Sequence, residues 1–186
     1  MPLLLVPVLS LSCKSENQPA RPTPPITPQP DQHQPNQQLY QNPTDGIEFQ
    51  YPSNWKASTP KETEYRFTSP DAKSPVELTL DVPKLPWHPP GWIPIDSVRD
   101  GYVDDAKKKI SNAQASNLPD PGIPDAKSHR VKITGQTNGK PAINEAALIV
   151  HNDKVYILSI ETDPGSYPAA QKALDQAVAT LRWTGK

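Results

Sequence analysis

Ala146-Ala147-Leu148-Ile149-Val150 and Val155-Tyr156-Ile157-Leu158-Ser159-Ile160 are nearly continuous runs of apolar residues, separated only by His151-Asn152-Asp153-Lys154. A strand with one wet face alternates apolar and polar residues. These two do not, so both of their faces have to be covered. Asn and Asp tolerate positive φ, and the short polar break between the runs predicts an antiparallel hairpin. Central strands buried on two faces need a layer of structure on each side of their sheet.

Two segments can supply those layers. Asp96 or Ser97 can cap a helix reaching Ser116, with Val98, Tyr102, Val103, Ala106 and Ile110 at helical spacing; Gly101 weakens it by about 1 kcal/mol. A final helix from about Ser166 to Arg182 places Tyr167, Ala170, Leu174, Ala177, Val178 and Leu181 on one stripe, with Pro168 tolerated in its first turn. The expected fold class is therefore α/β of the α+β kind, a three-layer α/β/α sandwich on a mostly antiparallel sheet.

The sheet grows outward from the hairpin. Val131 and Ile133 mark a strand that ends in a turn over Gly135 to Gly139. Val76-Glu77-Leu78-Thr79-Leu80-Asp81-Val82 alternates cleanly, and a shorter strand surrounds Tyr65-Arg66-Phe67. In Gly46-Ile47-Glu48-Phe49-Gln50-Tyr51 the apolar residues again alternate, and Pro52 ends the strand. Trp55 follows in a turn, placed to fold back over one end of the core.

Gly46-Ile47-Glu48-Phe49-Gln50-Tyr51-Pro52-Ser53-Asn54-Trp55 resembles the opening G-x-x-F-x-Y-P-x-x-W of the PsbP-like family. The ending is similar as well, with a late hairpin leading through Thr162-Asp163 and Tyr167 to a helix that closes in Leu181-Arg182-Trp183. The resemblance covers Gly46 to Trp183. It implies an α/β/α fold shared with the DcrB lipoproteins and with a nuclear import factor that binds the GTPase Ran. It also implies binding or accessory roles, plant and cyanobacterial members being attached to the oxygen-evolving side of photosystem II.

The N-terminal part is of another kind. Leu3-Leu4-Leu5-Val6-Pro7-Val8-Leu9-Ser10-Leu11-Ser12 is too short to cross a bilayer as a helix, but it matches the apolar core of a secretory signal. It ends at Cys13, the single cysteine of the chain. The arrangement resembles the lipobox of bacterial lipoproteins, which implies a signal peptide over residues 1–12, acylation of Cys13 and a membrane anchor in the bacterial cell envelope, on a periplasmic or extracytoplasmic face. Ser10 stands where lipoboxes carry Leu and no Lys or Arg precedes the run, so an ordinary secretory signal is the alternative reading. Residues 14–45 carry eight prolines and almost nothing apolar, too little to offset the entropy of ordering them. With Cys13 they form an expected disordered Pro/Gln-rich linker over 13–45, and residues 46–186 the folded domain. In polyproline II conformation such a tether reaches roughly 100 Å.

Chemistry is sparse. Net charge is −1 with both signs interspersed, so nothing argues for nucleic acid as a partner. His33, His88, His129 and His151 show neither i,i+4 pairing nor HExxH spacing, and no metal site or cofactor is expected. G-x-S-x-G and phosphate-loop patterns are missing, and the domain holds no thiol, so no catalytic residues are assigned and an enzyme is not expected.

One segment departs from packing logic. Leu85-Pro86-Trp87-His88-Pro89-Pro90-Gly91-Trp92-Ile93-Pro94 sets two indoles on a stiff loop. Trp87, His88 and Trp92 are the candidate partner-binding residues, because Trp is enriched at binding hot spots; the competing reading has both rings lid the core. Two function classes follow. The first is a membrane-tethered, non-catalytic lipoprotein whose domain binds or stabilises another envelope component, identity open. The second is a small-molecule carrier or hydrolytic enzyme with a site between sheet and helix, which should show a concave apolar pocket with convergent polar groups.

Overall fold

A computed structural model describes residues 36–72 and 74–184. Cys13, the signal resemblance and residues 14–35 of the expected linker lie outside them. The hairpin that decides the fold is present: β8 (Lys140–His151) and β9 (Lys154–Thr162) pair antiparallel from Ile143↔Thr162 to His151↔Lys154. Asn152 and Asp153 form its two-residue turn with φ of 47° and 58°, the left-handed pair that matches strand twist.

Around this hairpin stands a seven-stranded antiparallel sheet. One wing is β5 (Glu77–Asp81), β4 (Glu64–Thr68) and β3 (Lys56–Lys61), and the other is β7 (Lys127–Thr137) and β6 (Ser111–Leu118); the order is β3-β4-β5-β9-β8-β7-β6. A second, three-stranded sheet pairs β2 (Ile47–Pro52) with β1 (Gln37–Asn42) and β10 (Arg182–Trp183).

Both faces of the central strands are covered, as their composition demands. Ala147, Ile149, Tyr156, Leu158 and Ile160 face α2 (Tyr167–Thr180) and the small sheet, in a core that includes Phe49, Phe67, Leu78 and Leu174. Ala146 and Leu148 face the other way and pack with Val131 against Ile95, Val98 and Tyr102 of α1 (Ile95–Lys109). The three layers are thus α1, the large sheet, and α2 with the small sheet. Trp55 packs half-buried against the main core, as the Tyr-Pro-x-x-Trp spacing predicts.

Four expectations need correction. The first helix stops at Lys109, and residues 111–118 are strand β6: Asn112 takes φ 53°, which a helix does not accept, and Ile110 is already extended. The strand after Val131 runs through Gly135 to Thr137, with the turn at Asn138-Gly139. The last helix ends at Thr180, so Arg182 and Trp183 form β10 on β2. The folded part also includes residues upstream of Gly46, since β1 lies inside the stretch assigned to the linker. Tyr40 explains why: its ring meets Phe49 and Phe67 at 5.1 Å each. Asp45 is a hub as well, its N–H donating to Asn42 Oδ1 (3.1 Å) and its carbonyl accepting from Tyr156 Oη (2.7 Å).

Candidate functional site

The loop between β5 and α1 is held at both ends. The Val82 N–H donates to the Thr63 carbonyl at 2.8 Å, and Val82 and Ile93 are buried. Between them Pro83, Pro86, Pro89 and Pro90 restrict φ and offer no N–H to a strand partner, so the segment stays out of the sheet. Gly91 turns it with φ +74°, a conformation that would strain a residue carrying Cβ, and donates its N–H to Asp153 Oδ1 of the hairpin turn at 2.5 Å. The Trp92 N–H closes a turn on the Pro89 carbonyl at 3.2 Å. His88 places Nδ1 2.8 Å from the Pro86 carbonyl, which fixes the proton on that nitrogen.

This fixed frame displays its large side chains outward. Trp87 is 90% exposed, Trp92 66% and Leu85 40%. The two rings therefore do not lid the core. They form one wall of an open groove of about 510 Å³, whose opposite wall is Val98 and Tyr102 of α1 and whose floor includes Val155 and Ile157 of β9. The Tyr102 hydroxyl donates to Asn144 Oδ1 at 2.8 Å, and burial pushes its pKa up.

Two polar constellations lie elsewhere. Glu145, fully buried in β8, accepts from Arg130 Nε at 2.7 Å and from the Tyr167 hydroxyl, while Arg130 also reaches Asp175 Oδ1 at 2.5 Å. This ties the start of α2 to the sheet, and Lys132 sits over the Tyr167 ring at 4.0 Å. Sequence reasoning missed the network, although a carboxylate inside the run Ala142 to Val150 is a legible anomaly. His129 lies between Asp120 (Nδ1, 3.1 Å) and Asp96 (Nε2, 3.0 Å). His151 stacks on Trp183 with ring centres 3.8 Å apart. Among the described residues no group of three or more His, Cys, Asp and Glu is placed to hold a metal ion, and no helix is long and apolar enough to cross a membrane.

Solved structures share this fold. The solution structure of cyanobacterial PsbP (CyanoP) from Synechocystis sp. PCC 6803 matches with a TM-score of 0.57 at 14% identity, over 86% of this chain and 99% of that one. LpqN of Mycobacterium tuberculosis, a protein involved in cell envelope biogenesis, matches with a TM-score of 0.52 at 14% identity, over 82% of this chain and 88% of that one. A protein from Bacteroides thetaiotaomicron matches with a TM-score of 0.53 at 15% identity, over 81% of this chain and half of its own length. The fold is PsbP-like. No protein-family model matches the sequence, and no curated protein does so.

Proposed function

We propose that the protein is a membrane-tethered, non-catalytic domain of the bacterial cell envelope that binds another envelope component through the loop Leu85–Pro94. The observation that carries this reading is the 90% exposure of Trp87 on a loop pinned at both ends. A large ring held in water by a prearranged backbone has already met its ordering cost, and covering it on a partner recovers apolar burial of the kind that makes hot spots. The PsbP-like fold, shared with a cyanobacterial PsbP and with an envelope-biogenesis protein, agrees with an extracytoplasmic accessory role. The tether comes from the resemblance of the segment ending at Cys13 to a lipobox. A small-molecule carrier would use the same groove, but its outer wall stands in water, whereas pockets for small ligands enclose most of the ligand surface.

The test is affinity capture from solubilised membranes with the wild-type chain and with Trp87→Ala plus Trp92→Ala. The substitutions are expected to abolish capture of the partner, a loss of about 2 kcal/mol or more of binding energy, with a nearly unaltered melting temperature. Unchanged capture would remove the loop from the binding surface.

A further inference from the structure

The groove does not end at the tryptophans. α1 packs on β6, β7 and β8, and the same face of β4, β5 and β9 is left as the floor of a polar hollow of about 370 Å³. Tyr102, Asp105, Asp81 and Ile157 line both spaces, so groove and hollow form one trough beside α1. Its helix wall runs from Ser97 to Lys109. At 1.5 Å per residue that is about 18 Å, the length of five to six residues of extended chain.

The carboxylates along this trough are not equivalent. Glu64 and Glu77 are both reached by Arg66, at 2.5 and 3.5 Å, and Asp105 Oδ1 receives Lys108 Nζ at 2.7 Å. Asp81 differs: its carboxylate is hydrogen-bonded by the Thr63 side chain and the Val82 N–H, yet its Oδ1 is buried with no hydrogen-bond partner, at the junction of the apolar and polar halves. Burial raises its pKa, the direction expected of a carboxylate lacking full compensation. A buried acceptor of this kind gains most from a charged donor.

We infer that the trough receives an extended peptide segment of a partner protein, with a lysine or arginine donating to Asp81 and neighbouring proline or aliphatic residues lying against Trp92, Val98 and Tyr102. The inference rests on the reading that the Leu85–Pro94 loop binds an envelope component, and it names the chemistry of that component. The open outer wall admits a continuous chain, and the 18 Å or so of helix wall suits a short stretch of one.

The full chain with Cys13→Ser, which removes only the thiol, is titrated calorimetrically with acetyl-Pro-Lys-Leu-Lys-Pro-Leu-amide, with its Glu-for-Lys counterpart and with 1,5-diaminopentane. The lysine peptide is expected to bind saturably and more weakly as salt rises, the glutamate peptide to show no binding, and Asp81→Asn to weaken the lysine peptide about tenfold without lowering the melting temperature. Trp92→Ala, at an exposed position, should weaken it as well. Equal binding of both peptides, binding of neither, or the diamine binding as tightly as the lysine peptide would each overturn the inference. If capture from membranes is lost in the Trp87→Ala plus Trp92→Ala chain yet no peptide binds, only the inference falls; if capture persists in that chain, the reading beneath it falls.

Discussion

His129 presents one ring nitrogen to Asp120 and the other to Asp96 at the start of α1. A neutral imidazole can donate to only one of them, so the arrangement favours the imidazolium, and the hydrogen bond to Asp120 raises the pKa most, followed among the raising effects by the bond to Asp96. Arg99 also faces Asp96, at 3.1 Å, which moderates its pull on the ring. Because the folded value lies above the unfolded one of about 6.5, the bridge contributes fully below that pH and is lost as pH rises through the folded pKa. Thermal melts between about pH 6 and pH 8.5 should show stability falling with pH, and His129→Gln should flatten that slope; an identical slope in both proteins would discharge His129 from the role. The sequence held the histidine but not the bridge, because Asp96, Asp120 and His129 belong to separate segments that only the sheet brings together. Trp87 and Trp92 were legible for the opposite reason. Apolar rings in a proline-rich loop announce themselves without tertiary context.

Among elements, those with large apolar side chains were readable and those without were not. β8, β9 and their Asn152-Asp153 turn follow from composition, since burial on two faces leaves no other pattern. β3, Lys-Ala-Ser-Thr-Pro-Lys, is exposed along its whole length, and its extended state is imposed by β4. The same holds for β6 at the opposite edge, which among the described residues is paired only with β7 and carries no buried residue. What fixes β6 is a close approach that the helical spacing of Val98, Tyr102 and Ile110 concealed. A Cβ on Gly135 of β7 would stand 2.5 Å from Ile110 Cγ2 and 2.6 Å from the Ser111 carbonyl. The latter is backbone and cannot yield without moving the edge strand. Gly135→Ala is expected to destabilise the fold by about 1–3 kcal/mol in urea titration and to raise amide exchange along Ser111–Leu118 selectively. Uniform exchange across the large sheet would show that β6 is not the element disturbed.

At the scale of the molecule, the polar composition of residues 14–45 concealed the strand that lies within them. Residues 37–42 form a strand because a few side chains, Tyr40, Asn42 and the Asp45 that follows, find partners in a core built by others. A chain beginning at Gly46 strips this cover from Phe49 and Phe67, and should melt roughly 5 °C or more below one beginning at Asn36. Equal melting temperatures would make β1 an ornament of the small sheet. Its position also gives the domain a mechanical polarity. Tension applied at Asn36, whose carbonyl accepts from the Ser53 N–H at 3.0 Å, passes into β1 at the Gln37↔Pro52 end of its ladder. A pull along the strand axis loads the whole β1–β2 ladder together in shear, whereas a pull across it opens the bonds in succession, so resistance to force depends on the direction from which the chain is held.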